Sequence, residues 1–137
     1  MEKLACLFRA AQLYAHASHN QVRGATFFSD HEFLGGLYGN YEEAYDKTVE
    51  QMIGLGMAPN LANIQRCACD MSIALPDPAI FSCEIVFATL LKLETDIQTE
   101  ILNLYESSDI GTQNILAQFF EDSQHRGNYK IGQRLKK

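Results

Sequence analysis

The chain has 137 residues, with 11 Lys and Arg against 17 Asp and Glu, a net charge of −6, 47% hydrophobic and 20% charged residues. This balance excludes a disordered tail and predicts one domain over residues 1–137, because two halves would each bury too little core. It argues against a dedicated duplex-DNA binder, whose affinity comes mostly from cationic side chains, and suits a protein that draws in cations. The most apolar stretch, Ile85 to Leu91, is far shorter than the roughly 20 residues a bilayer needs. Glu2 and Arg9 break the N-terminal apolar pattern that a signal peptide requires, so the expected compartment is the cytoplasm. Cys6, Cys67, Cys69 and Cys83 are too few for a disulfide scaffold, and Cys67-x-Cys69 lacks the two-residue spacer of common zinc hooks. They read as core or surface thiols.

In chain order, Leu4, Leu7, Ala11 and Tyr14 recur at helical spacing and predict a first helix over Glu2 to Val22, ended by Gly24. Ser29-Asp30-His31-Glu32 has the form of a capping box, with Ser29 as cap and Glu32 returning the hydrogen bond. It opens a second helix that runs to Ile53 before Gly54-Leu55-Gly56. Asn60 to Ser72 has room for a short helix inside a long connection. Asp77-Pro78 reads as cap and first-turn proline of a third helix, whose apolar stripe is Val86, Leu90, Leu93, Ile97, Ile101 and Leu104. A fourth starts at Ser108 or Asp109 and carries Ile115, Leu116, Phe119 and Phe120 as far as Gly127. There is no strand alternation. The pattern is all-α: a four-helix bundle with a long crossover, holding a short helix, between helices two and three, which is the ferritin-like connection, although cytokine-type bundles also use long crossovers.

The second helix carries two stripes. At about 100° per residue, Leu34, Leu37, Tyr41, Tyr45, Thr48 and Met52 cluster on the side that packs into the bundle. His31, Glu42, Asp46 and Glu50 fall roughly 120° away around the same helix. Carboxylates and imidazoles in such a stripe suit iron(II) and neighbouring metals at an interface. A solvated acidic face is the plainer reading of the stripe alone. His19 stands twelve residues before His31, across the turn that contains Gly24.

His19, His31, Asp46 and Glu50 have the separations of a pattern in the Dps-type mini-ferritins, the DNA-binding proteins of starved cells. Arg23-Gly24, Phe27-Phe28, His31-Glu32 and Leu37-Tyr38 agree in character, and the sequence resembles that family most densely from His19 to Gly56. The resemblance implies a homo-oligomeric shell, usually a dodecamer, with iron sites at two-fold interfaces. His19 and His31 of one subunit would face Asp46 and Glu50 of its mate. Iron(II) held there would be oxidised, typically by hydrogen peroxide, and the ferric product stored as mineral; the protein would be a ferroxidase, with iron its metal.

The sequence also departs from that family. Four residues after His31, where the family usually has Asp, stands Gly35, and Gly36 follows where another acidic residue is common; no Trp accompanies His19. An Asp placed at 35 is therefore expected to tighten iron binding. One alternative is a ferritin-like shell or binding module with a degenerate, non-catalytic metal site. Another is a di-iron site inside the bundle, for which Asp122-x-x-His125 with Glu94 or Glu100 is the nearest approach to the Glu-x-x-His pairs of ferritins.

The basic run Lys130 to Lys137 reads as a solvated helix end whose lysines complement the helix dipole. With that charge and no basic N-terminal arm, duplex DNA binding is expected to be weak or absent. In gel-shift titrations at about 150 mM salt no tight complex should form. A tight complex abolished by deleting Ile131 to Lys137 would make that run an anchor.

Overall fold

The computed structural model describes residues 1–137 as helices joined by short connections, with no strands. Helix α1 spans Glu2–Gln21, α2 Phe27–Gly54, α3 Leu61–Ile73, α4 Cys83–Tyr105 and α5 Ile110–Ser123. The last helix continues as a π-helical segment, Gln124–Ile131, and ends in one α turn, α6, Gly132–Leu135. No helix is long and apolar enough to cross a membrane.

The apolar stripes become one core. Leu4, Phe8, Ala11 and Ala15 of α1 pack against Leu34, Tyr41 and Met52 of α2, Leu90 and Ile97 of α4, and Leu116 of α5, all of them buried. Alanines along α1 let neighbouring helices approach closely, while Phe8 and Phe119 meet edge to face at 5.1 Å. The six core positions expected on α2, from Leu34 to Met52, are all buried. Glu42, Asp46 and Glu50 on the second stripe are exposed.

Side-chain pairs fix the directions. His19 touches His31, and the Arg9 guanidinium lies 3.7 Å over the Tyr45 ring, so α1 and α2 are antiparallel. Lys3 pairs with Glu100 at 3.5 Å while the Cys83 thiol faces the Arg23 carbonyl, so α4 is antiparallel to α1 as well. It follows that α2 and α4 run parallel, and the chain between them must return along the bundle. Helix α3 lies on that return, capped by the Asn60 side chain, which accepts from the Asn63 N–H at 3.0 Å. Ser123 meets Glu94 across the α4–α5 hairpin, which is antiparallel.

Three local expectations are corrected. Helix α2 starts at Phe27, after Thr26, and Ser29 lies inside its first turn, where its hydroxyl donates to the Thr26 carbonyl; Glu32 is exposed and no capping box forms. Asp77-Pro78 forms a turn rather than a helix start, with the Asp77 side chain accepting from the Ala79 N–H. Ser82 is the cap of α4, accepting from the Ile85 N–H at 3.4 Å. The last helix does not stop at Gly127 but runs through it.

The basic C-terminal run keeps Lys130, Lys136 and Lys137 exposed, as expected of a solvated end, but is anchored between them. Ile131 is fully buried, and the Arg134 guanidinium clasps the buried Asp30 carboxylate through Nε at 3.0 Å and Nη2 at 2.9 Å. Thr26 also donates to Asp30 at 2.7 Å. Burial opposes the Asp30 charge, yet Arg134 and Thr26 overrule it and hold the carboxyl below its ordinary value. A lowered acid contributes stability that is present above its unfolded value and lost as the pH falls through the folded one. Asp30→Asn should therefore cost about 1–3 kcal/mol at neutral pH. The deficit against the wild type should shrink below about pH 4, as followed by thermal unfolding of both proteins across pH.

Candidate metal centre

His19 closes the last turn of α1, and His31 lies in the second turn of α2. Their rings stack with centroids 3.8 Å apart, at an interplanar angle of 17°. The His19 Nδ1–H donates to the His31 carbonyl at 2.7 Å, and the His31 Nδ1–H donates to the His19 carbonyl at 2.8 Å. A carbonyl only accepts, so each Nδ1 carries a proton, and Nε2 is the nitrogen left to offer a lone pair to a metal. A hydrogen bond of this kind at the far nitrogen is what orients an imidazole for a metal. It also satisfies the His19 carbonyl, which α1 leaves unpaired at its end.

Aromatic rings wall the pair. Phe27 stacks on His31 at 5.0 Å, and Tyr38 meets His19 edge-on at 5.4 Å while stacking on His16 at 4.2 Å. Phe28 beside Phe27 is 84% exposed.

Gly35 lies directly against the clasp. A Cβ there would stand 3.1 Å from His19 Cε1 and 3.3 Å from its Nδ1. A side chain at 35 would press on the imidazole, which stacking and its hydrogen bond hold in place, so the ring would have to give by a few tenths of an ångström. Position 35 thus faces the histidines, as the expectation for Asp there requires, and a side chain at 35 would sit tight against the His19 ring. Gly36 and Gly39 are different, with nothing within 4 Å of an added Cβ.

Asp46 and Glu50 do not join this pair within the chain. They lie about 22 and 28 Å along α2 from His31 at 1.5 Å per residue, and both are exposed. No group of three His, Cys, Asp or Glu side chains converges anywhere in a single chain. One chain thus offers two imidazole nitrogens at one end of α2 and two carboxylates toward the other.

A ferritin-like domain description matches residues 1–137, the entire chain. The chain belongs to the ferritin-like family. No curated protein matches it in sequence.

The interior of this ferritin-like bundle is occupied by an ion pair. Glu94, fully buried, accepts from Arg126 Nε at 2.8 Å and Nη2 at 3.1 Å, and Ser123 donates to it at 3.3 Å. Burial pushes the Glu94 carboxyl up against the pull of Arg126. Burial also opposes the charge of Arg126, but Glu94 holds the guanidinium above its ordinary value. Asp122 and His125 do not approach Glu94: Asp122 accepts from Gln118, exposed His125 stacks on Tyr129, and both open onto a surface groove beside Glu43 and Lys47. Glu100 pairs with Lys3. A cation-binding set inside the bundle would have to displace Arg126, so these carboxylates do not form one.

Sequence reasoning missed Arg126 and the role of Gly35. The signal for the first was a lone Arg between Ser123 and Ile131 on the buried side of the last helix. For the second, it was a glycine one turn beyond His31. Gly35→Ala should push the His19 ring aside and lower divalent-metal affinity about tenfold, the equivalent of 1.4 kcal/mol. Helix stability should not fall, since Ala is the better helix former. Anaerobic titration with iron(II) or cobalt(II), beside thermal unfolding, separates the two effects.

Proposed function

We propose that this ferritin-like protein binds iron(II) where two copies meet and oxidises it with hydrogen peroxide, storing the ferric product inside a homo-oligomeric shell, a dodecamer on the resemblance to Dps-type mini-ferritins. The observation that carries the reading is the His19–His31 clasp, which presents two oriented Nε2 atoms with no third ligand in their own chain. Asp46 and Glu50 of a second copy would complete the set. Their negative charge offsets the cation's and favours its higher oxidation state, and nitrogen with carboxylate oxygen is a donor set suited to iron.

The spacing fits a two-fold arrangement. If two α2 helices cross antiparallel, residues equidistant from the crossing meet, and the midpoint between His31 and Asp46 falls near Gly39. Gly35 and Gly39 lie on the same helical face as His31, Glu42 and Asp46, by about 100° per residue. The open space above Gly39 leaves low relief where such helices would approach. The two sites made this way are identical, since an isologous interface repeats every contact.

In the reaction, each hydrogen peroxide takes one electron from each of two iron(II) ions and leaves as two hydroxides. This chain's part is to fix the imidazoles by their Nδ1–H bonds and to supply charge from the partner's side. The cytoplasm is the compartment this reading favours. Duplex DNA is not a partner in it, because Arg134 is spent on Asp30 and the overall charge is negative.

Light scattering should give a mass far above the 15.4 kDa of one chain, and Glu50→Gln should slow iron(II) oxidation without dissociating the assembly. A sharper measurement uses mixing. His31→Ala and Glu50→Gln proteins, each slow alone, should regain about a quarter of the wild-type sites when unfolded and reassembled together, because random pairing across an isologous interface rebuilds one intact site in four. No gain on mixing would place the ligands on one chain. Unchanged oxidation in Glu50→Gln, with assembly intact, would move the chemistry away from this interface.

A further inference from the structure

We propose that Cys6 and Cys67 are a reversible thiol pair which hydrogen peroxide oxidises to a disulfide, stapling α3 to α1. The two Sγ atoms, on different helices and distant in sequence, lie 2.7 Å apart, in direct contact. Cys6 is on the buried face of α1, 2% exposed, whereas Cys67 is exposed on α3. Ile64 and Ala68 anchor α3 in the core on either side of Cys67, so the contact is held by packing and not by a loose loop.

The other thiols have no such partner. Cys69 is two residues beyond Cys67, about 200° around the same helix, and cannot turn toward it. Cys83 sits at the start of α4, facing the Arg23 carbonyl at 3.8 Å. An exposed and a buried thiol in contact divide the work of attack and resolution. Burial first, and then Cys67 itself, pushes the Cys6 thiol up to about 12, so Cys6 stays protonated and reacts only through its neighbour.

The atoms balance. The Cys67 thiolate sulfur attacks one peroxide oxygen, the O–O bond breaks, and hydroxide leaves, giving a sulfenic acid. Cys6 Sγ then attacks that sulfur, the S–O bond breaks, and the departing oxygen leaves as water with the Cys6 proton. Two thiols and one hydrogen peroxide become one disulfide and two waters, the sulfurs losing two electrons. A small-molecule dithiol reverses the change by exchange. No iron ligand takes part, so this pair and the proposed metal site stand or fall separately.

The experiment treats the full-length, iron-free protein with one equivalent of hydrogen peroxide. Free thiols are counted after denaturation, and the digest is mapped by mass spectrometry. Expected are a fall from four thiols to two, a Cys6–Cys67 linked peptide lighter by two hydrogens, a raised melting temperature, and full recovery with dithiothreitol. In Cys6→Ser, Cys67 should stop as a sulfenic acid trapped by dimedone. In Cys67→Ser, at an exposed position that the fold does not need, Cys6 should react at least about tenfold more slowly than Cys67 does in the wild type. Links between copies through Cys67 or Cys69, four thiols surviving peroxide, or Cys6 reacting as fast without Cys67 would each overturn the proposal.

Discussion

A carboxylate and a guanidinium buried together between helices constrain this bundle more than any other contact. Removing two charges from water costs several kcal/mol each, and is offset only where geometry and hydrogen bonding are near ideal. Glu94 and Arg126 meet that condition through two parallel hydrogen bonds, with Ser123 as a further donor and the Tyr41 ring 5.0 Å from the guanidinium. The backbone conforms to the pair. Gly127 stands where any Cβ would be 2.9 Å from Glu94 Cβ, so only glycine lets the last helix come so close to α4. The helix widens to a π-helix over Gln124–Ile131, and that wider turn puts both Arg126 and, five residues on, Ile131 on the buried side. From there α6 delivers Arg134 to Asp30, tying the C-terminal end to the start of α2.

With the interior neutralised by its own ion pair, the groups suited to metal chemistry lie at the ends and surface of α2. The clasp between His19 and His31 belongs equally to the fold and to the site: it closes the α1–α2 hairpin and, by the same hydrogen bonds, leaves both Nε2 atoms available. Two neutral imidazoles hold a divalent cation weakly without an anionic partner. In the proposed function the missing charge arrives on another copy, which would make metal affinity depend on association. The exposed aromatic Phe28 beside the clasp, and the low glycine relief along the same face, are surfaces that association would cover.

How much of this was legible in the sequence follows from the range of each interaction. The helices α1, α2 and α5, the burial of Leu34 to Met52, and the separation of that stripe from His31, Glu42, Asp46 and Glu50 all come from periodicity, which is local and geometric. The cap of α5 at Asp109 was readable for the same reason. Asp77-Pro78 and Ser29 misled because each has good cap chemistry, yet the chain direction at those points is set by packing of the connection, and Ser82 and Thr26 take the positions instead.

What the sequence by itself determined, then, is an all-helical chain with a core-facing and a polar stripe on α2, and a pair of histidines placed on either side of a tight turn. The tertiary structure alone decided that the His19 ring lies against Gly35, that Arg126 closes the interior around Glu94, that Cys6 touches Cys67, and that the basic C-terminus is bound through Arg134. Each of these joins residues far apart in the chain or opposed across a helix pair. No local pattern encodes such a pairing, because its energy depends on desolvation and steric fit that exist only once the helices have packed.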